Sequence, residues 1–456
     1  MYNLFIFRRD FRLYDNTGLN YAMTHFNNII PIFIFTPEQI TTKNKYISSN
    51  SLQFLVESLN ELDNDLKKYN SKLHIFYGDN ITILNKIKSI IKIDNIIENM
   101  DYTPYAIIRS NDIKKIEDIN YILIQDYLLS NIGELNKKNG DPYLIYTPFY
   151  NNSKKYIVKK PVNNKINNLI YLEILNNIPT INYNKFLNYN KNIIYNGGRK
   201  NGLFNLNNIK NLSNYNSDRN TLSISTSLLS AYIKYGCISI REVYWKIKDI
   251  YNIENELLSQ IYWREFYFYI IYYFPNMLKG YNFNSKFDNI KWINNINHFK
   301  KWCNSQTGFP IVDACMKELI ITGYMHNRGR LITSNFLNRI LGIDWRKGEQ
   351  YFANQLVDYD PSINNGNWQW IASVGVDPKP FSQRLFNPWI QSKKFDNDCI
   401  YIKKWLPELK DIPSKHLHQW DVYCTNYDLK KINYCCPIVD YKSERQRSLK
   451  QYKKEY

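Results

Sequence analysis

Residues 358–370 read DYDPSINNGNWQW, a mixture too polar for a core helix and too aromatic for a solvated loop. Asp358 and Asp360 stand just ahead of Pro361, and a residue before proline is pushed towards extended backbone, so the acids should lie on a bend. Asn364, Asn365 and Gly366 favour turn chemistry and close approach. A short amide held there could hydrogen-bond a ring nitrogen of a flat heterocycle, and Trp368 and Trp370 offer faces for stacking. A capped helix start would explain the aspartates and asparagines, but not the two indoles.

A second set of residues lies in ENELLSQIYWREFYFYIIYYF (254–274), which predicts a strongly aromatic helix ending before Pro275. Gln260, Trp263, Arg264 and Tyr267 fall at i, i+3, i+4 and i+7 and so share a face. An amide, an indole and a guanidinium together suit a flat, hydrogen-bonding ligand. They also suit a core helix whose Arg264 pairs with a nearby carboxylate. In GYMHNRGRL (323–331), Asn327 and Leu331 share a face while Arg328 and Arg330 point elsewhere. Phosphates, bases or helix-end carbonyls could all be met there. His326 has no second ligand at a metal-binding spacing and reads as structural, so no metal site is expected.

Two unlike halves must position these residues. In residues 1–130 the segments 2–7, 29–35, 72–78 and 94–100 read as buried strands, and 51–69 as an amphipathic helix with Leu52, Leu55, Leu59, Leu62 and Leu66 on one stripe. Strands alternating with helices predict an α/β domain with a parallel, Rossmann-like sheet, whose ligands sit at the carboxyl ends of the strands. No GxGxxG or P-loop is present. Residues 131–195 predict a long connector with little regular structure, with a turn at Gly140, Asp141 and Pro142. Residues 196–456 predict an all-α domain. In it, TSLLSAYIKYG (226–236) reads as a helix opening on Thr226 and Ser227, and 310–341 as two helices broken near Gly323.

The chain of 456 residues carries 59 Lys and Arg against 41 Asp and Glu, a formal charge of +18. That balance suits a polyanionic partner such as nucleic acid, although a lysine-rich proteome would also produce it. Abundant Asn, Ile, Lys and Tyr point to AT-rich codons, which cannot supply tryptophan. Yet there are ten tryptophans, all at or after Trp245, so codon usage does not explain them. No apolar run of about 18 residues predicts a membrane span. The N-terminus lacks the pattern of a signal peptide, so an intracellular location, cytoplasmic or nuclear, is expected. Seven cysteines form no CxxC pair, and Cys435 and Cys436 are adjacent; all are expected to be reduced thiols.

These motifs together resemble the DNA photolyase/cryptochrome family. The resemblance is carried by FRRDFRLYDNTGL (7–19), TSLLSAYIKYG (226–236), WREFY (263–267), TGFPIVDACM (307–316), GYMHNRGRL (323–331), DWRKGEQYF (344–352), DYDPSINNGNWQW (358–370) and FNPWIQSKKFD (386–396), in family order. It is closest to the class I cyclobutane pyrimidine dimer photolyases. The resemblance implies an all-α domain that binds flavin adenine dinucleotide (FAD). Tyr215, Thr226, Ser227, Leu229 and Ser230 would hold its phosphates and ribitol, with Leu228 where the family often has Arg. Arg264, Asp358 and Asp360 would anchor the ring system, and Asn364 matches the asparagine beside flavin N5.

The resemblance further implies that Trp292, Trp345 and Trp368 form an electron-transfer chain, in which Trp302 has no part. Trp263 and Trp370 would stack on a flipped-out lesion in damaged DNA. Arg219, Arg328, Gln391 and Lys393 would grip phosphates, and Gln260 and Asn327 would face the lesion. The implied activity is a lyase reaction, light-driven splitting of cyclobutane dimers by a monomeric enzyme. Gln260 and Leu331 depart from that branch, which has Glu and Met there. Gln260 is familiar from the (6-4) branch, but the two histidines of that branch are replaced by Asn327 and Leu331. A (6-4) photolyase and a cryptochrome-type blue-light receptor are therefore the alternatives. A second, antenna chromophore, a folate or a flavin, is expected near ENMDYTPYAIIRS (98–110) if one binds.

Overall fold

The computed structural model describes residues 1–252, 254–377 and 381–454. The N-terminal part is built on a sheet of β1 (Tyr2–Ile6), β2 (Ile29–Phe35), β3 (His74–Tyr77), β4 (Ile93–Asn99) and β5 (Asn120–Ile124). The order is β3-β2-β1-β4-β5, every pairing is parallel, and Leu4 lies between Ile30 and Ile96. β2 is buried along its whole length because helices cover both faces of the sheet. Its Pro31 lies before the point where β3 pairing begins, at Ile32, so the missing N–H removes no bond to β3. β5 was not expected from the sequence: NYILI is an edge strand with none of its residues fully buried.

Residues 131–195 are less bare than expected. They carry a helix, α1 (Tyr146–Ser153), and are stitched to the sheet where the Ile29 N–H donates to Asn168 O and the Ile170 N–H to Ile29 O, both at 2.9 Å.

The rest of the chain is helical. Numbering onward only the helices that build the site, these are α2 (Ile240–Tyr251), α3 (Glu256–Tyr273), α4 (Pro310–Thr322), α5 (Asn327–Asn335), α6 (Trp345–Gln355), α7 (Pro361–Ile371) and α8 (Pro388–Phe395). α3 is buried on nearly every side between Leu257 and Ile271, which is why its sequence is aromatic all round. α4 stops at Gly323, whose φ of +66° lies in the left-handed region that glycine enters at no steric cost.

The two parts are joined by buried ion pairs. Arg241 of α2 reaches Asp126 at 2.7 Å and Asp15 at 2.9 Å, while Arg12 pairs with Asp126 at 2.5 Å inside the N-terminal part and donates across to Gly236 O at 3.1 Å. The RRDFRLYDN stretch thus supplies much of the seam between sheet and helices. The expectation of reduced thiols fails at one place: Cys424 and Cys436 form a disulfide with their Cα atoms 5.6 Å apart. The chain reverses between them, with the Trp420 indole N–H donating to Cys435 O at 2.9 Å. Sequence spacing alone does not signal that reversal. Among the described residues no helix is long and apolar enough to cross a membrane.

Candidate functional site

A cavity of about 520 Å³ opens among α3, α5, α7 and the segment leading to Ser230. Tyr215, Thr226, Ser227, Leu229 and Ser230 line it, together with Arg264, Asp358, Asp360 and Asn364. Gln260, Trp263, Asn327 and Trp370 face the same space, with Arg219, Arg328 and Trp368 also in the wall. Gln391, Lys393, Trp292 and Trp345 are not among the described lining residues. Gln391 and Lys393 lie on α8, whose Phe395 ring sits under the Arg328 guanidinium at 4.3 Å.

Two local expectations are corrected. Residues 226–229 are not helical; the short helix starts at Ser230, and Leu228 takes a φ of +48°. The Thr226 hydroxyl instead meets the Tyr324 hydroxyl at 3.3 Å, and the Ser230 hydroxyl donates to Asp358 at 2.6 Å. Asn364, Asn365 and Gly366 form no turn but lie inside α7. Pro361 fits the first turn of that helix, and the Asp360 carboxylate caps it by accepting from the Ser362 and Ile363 amides at 2.9 and 3.3 Å. Gly366 serves close helix packing, since a Cβ there would collide with the Tyr267 ring of α3.

The charges of the wall are partly paired. Arg330, which the sequence reading left out of the site, donates to both oxygens of Asp358 at 3.1 and 2.9 Å. Arg9, from the far N-terminus, pairs with Asp360. Burial alone would raise the Asp360 carboxyl, yet the Arg9 guanidinium holds it below its ordinary value. Arg264 donates one bond to Glu265 at 3.2 Å and stacks over Tyr127 and Phe268 at 4.2 and 4.8 Å. Its Nη2 is buried and has no hydrogen-bond partner. Asn364 donates to the Glu349 carboxylate at 3.2 Å, and burial pushes that carboxyl up to about 7. Glu349 lies within DWRKGEQYF (344–352), whose local pattern does not mark it as buried. His326 Nδ1 accepts from the Arg328 amide at 3.1 Å, its Nε2 is buried without a partner, and burial lowers its pKa to about 4.

The tryptophans divide by setting. Trp368 is 3% exposed and borders the cavity, and Trp345 is fully buried with its N–H on Asn282 at 3.0 Å. Trp292 is only half-buried. Trp302, given no part by the sequence reading, packs edge-on to Trp368 with centroids 6.4 Å apart. Trp370 has one face covered by Arg384, 3.9 Å from the ring centroid, and Arg384 was also missed. At the rim Arg219 pairs with Glu256 at 2.9 Å, and Arg328 donates to Asn220 at 2.6 Å. Among the described residues, no group of three His, Cys, Asp or Glu side chains could hold a metal ion.

A family model described as the FAD binding domain of DNA photolyase matches residues 257–454, and one described as DNA photolyase matches residues 3–165. A deoxyribodipyrimidine photo-lyase of Buchnera aphidicola is 36% identical over 99% of this chain and 96% of that protein. An archaeal photolyase from Sulfolobus tokodaii, solved with two FAD molecules, superposes with a TM-score of 0.87 at 37% identity over the whole of both chains. A class III photolyase from Agrobacterium tumefaciens does so at 0.90 and 30% identity, over 100% of this chain and 97% of that one. With two family models matching both halves and relatives matching along the full length, the chain belongs to the DNA photolyase family, and the cavity wall from Leu257 onward falls within the residues the FAD-binding model matches.

Proposed function

We propose that this protein repairs DNA in a light-dependent reaction, splitting cyclobutane pyrimidine dimers flipped into the cavity. The observation that carries the reading is one cavity that joins the hydroxyl-rich segment, the Asp358–Arg330 pair and Asn364 with Trp263, Trp368 and Trp370. The wall suits FAD: Thr226, Ser227 and Ser230 present hydroxyls for phosphate or ribitol, and the unpartnered Nη2 of Arg264 offers a donor to an acceptor on the ring system. When bound and reduced, FAD supplies the light-driven electron that opens the dimer.

The chain's own residues do the rest. Arg264, Asp358, Asp360 and Asn364 hold and orient the cofactor, with Tyr215 and Leu229 closing its other side. Trp368, Trp345 and Trp292 provide indoles from the cavity wall through the core to the surface. Trp263 and Trp370 stack on the extruded bases, and Gln260 and Asn327 hydrogen-bond their edges. Arg219, Arg328, Gln391 and Lys393 bind phosphates around the opening, a use for part of the +18 charge. We place the antenna domain at residues 1–130, the connector at 131–195 and the catalytic domain at 196–456. A second chromophore would sit at the carboxyl ends of β1 and β4, where Arg8 Nη2 and Arg109 Nε are buried without partners beside Glu98.

Dimer repair is favoured over (6-4) repair because no histidine is among the described lining residues, so no imidazole is placed to donate a proton to the lesion. The test is to illuminate the FAD-loaded protein with duplexes holding one lesion or the other. Restored dimers support the reading, restored (6-4) lesions alone replace it, and restoration of neither sinks it. Comparing Gln260→Glu on the dimer duplex then measures what the amide costs relative to a carboxyl group.

A further inference from the structure

We infer that Tyr146 is a positioning residue for lesion recognition, contributed by the segment between the two domains; this rests on the repair reading above. Its ring lies parallel to Trp263 with centroids 3.6 Å apart and an interplanar angle of 8°. Tyr146 is 9% exposed and is not among the residues lining the cavity, whereas Trp263 is. One face of the indole is therefore occupied, and the other is left for a base.

The contact is held from several directions. The Tyr146 hydroxyl donates to Ser259 O at 2.7 Å. Ser259 is four residues before Trp263 on α3, so the same carbonyl is the helical acceptor for the Trp263 amide. Ring and hydroxyl thus grip the indole and the turn that carries it. Phe149, one turn further along α1, packs on Phe266 and Tyr269 of α3 at 5.4 and 5.5 Å and keeps the two helices in register. Behind Tyr146 the stack continues to Tyr150, 5.6 Å away at 10°, with the Lys154 ammonium 5.0 Å beyond that ring. An indole backed in this way keeps its free face aimed at the cavity and cannot turn to stack elsewhere. Trp370 is backed in the same manner by Arg384. Both stacking residues are thus oriented before DNA arrives, which lowers the ordering cost of binding.

The test uses the full-length, FAD-loaded protein, with Tyr146→Leu and Tyr146→Phe, and 5-fluorotryptophan in place of tryptophan. The Trp263 fluorine resonance is assigned by its loss in Trp263→Phe. Flavin absorbance reports that each variant has folded around its cofactor. In Tyr146→Leu the Trp263 resonance should shift and broaden, and affinity for a duplex with one thymine dimer should fall roughly tenfold, as expected for a weakened base stack. Affinity for undamaged duplex should hold, and repair at saturating duplex should fall much less than affinity. Tyr146→Phe keeps the ring and should restore most of the affinity.

Equal loss for damaged and undamaged duplex, or a Tyr146→Leu protein that binds the dimer as wild type does, would overturn the proposal. So would a Trp263 resonance that does not move. A wild type that restores neither lesion removes the repair reading, and the resonance then still decides whether Tyr146 holds Trp263.

Discussion

The ion cluster around Arg241 and the cavity wall around Arg264 use the same residue types, yet they are finished differently. Around Arg241, every guanidinium nitrogen of Arg12 and Arg241 has a partner, and the Asp126 carboxylate accepts from both arginines and from Thr17. In the cavity wall, Arg264 has a nitrogen with no partner and Arg219 sits half-open at the rim. A buried polar group without a partner costs roughly 1–3 kcal/mol, so the wall carries a penalty that a ligand can relieve. The closed cluster holds domains together; the open one holds something else.

The contrast breaks most forcefully at Arg241. Arg241→Ala strands Asp15 and Asp126 in the interior and should lower unfolding free energy by about 3–5 kcal/mol, read from chemical denaturation. Arg264→Lys should do the reverse: the apo protein keeps its stability within about 1 kcal/mol, while FAD retention weakens by about tenfold to a hundredfold because the planar fork is lost. Equal loss of stability in both variants would erase the distinction.

The two regions should also answer pH in opposite senses. Burial opposes charge on Asp126, but Arg12 and Arg241 hold its carboxyl well below its ordinary value, so its contribution is present at neutral pH and lost in acid. Glu349, pushed up to about 7 from 4.5 by burial, keeps its proton longer when folded than when unfolded. Its effect on stability is most favourable below the unfolded value and declines as pH rises to about 7. Glu349→Gln should therefore flatten the alkaline side of the stability profile and gain about 2 kcal/mol at pH 8. No gain at pH 8 would mean that Glu349 is charged at no cost. The smallest effect belongs to the rim: Arg219→Ala should weaken binding to all duplexes alike and lower the salt slope by about 1.

Much of this was legible in the chain. β2, IIPIFIF, is a continuous apolar run, the mark of a strand covered on both faces, and β1, β3 and β4 each keep a shorter apolar stretch. β5 carries a similar run, YILI, but lies at the edge of the sheet with its residues only partly covered, a position the local sequence does not reveal. Most of the cavity-lining residues were readable as motifs, since their types and spacings are local. Arg9, Arg330, Glu349 and Arg384 were not, because each acts through a partner outside its own local segment: Arg9 through Asp360, Arg384 through Trp370. Asn364–Gly366 misled because glycine and asparagine signal a turn locally, whereas here the small residue lets α7 approach Tyr267.

By itself the sequence determined the two-part architecture, the family's motifs and the chemistry of the residues facing the cavity, because periodicity, capping and side-chain type are properties of neighbours along the chain. Only the tertiary structure decided which of those polar groups are satisfied and which remain open. It also decided which face of Trp263 is free and that Cys424 meets Cys436. Those outcomes depend on contacts between segments up to hundreds of residues apart, and packing rather than local preference chooses among them.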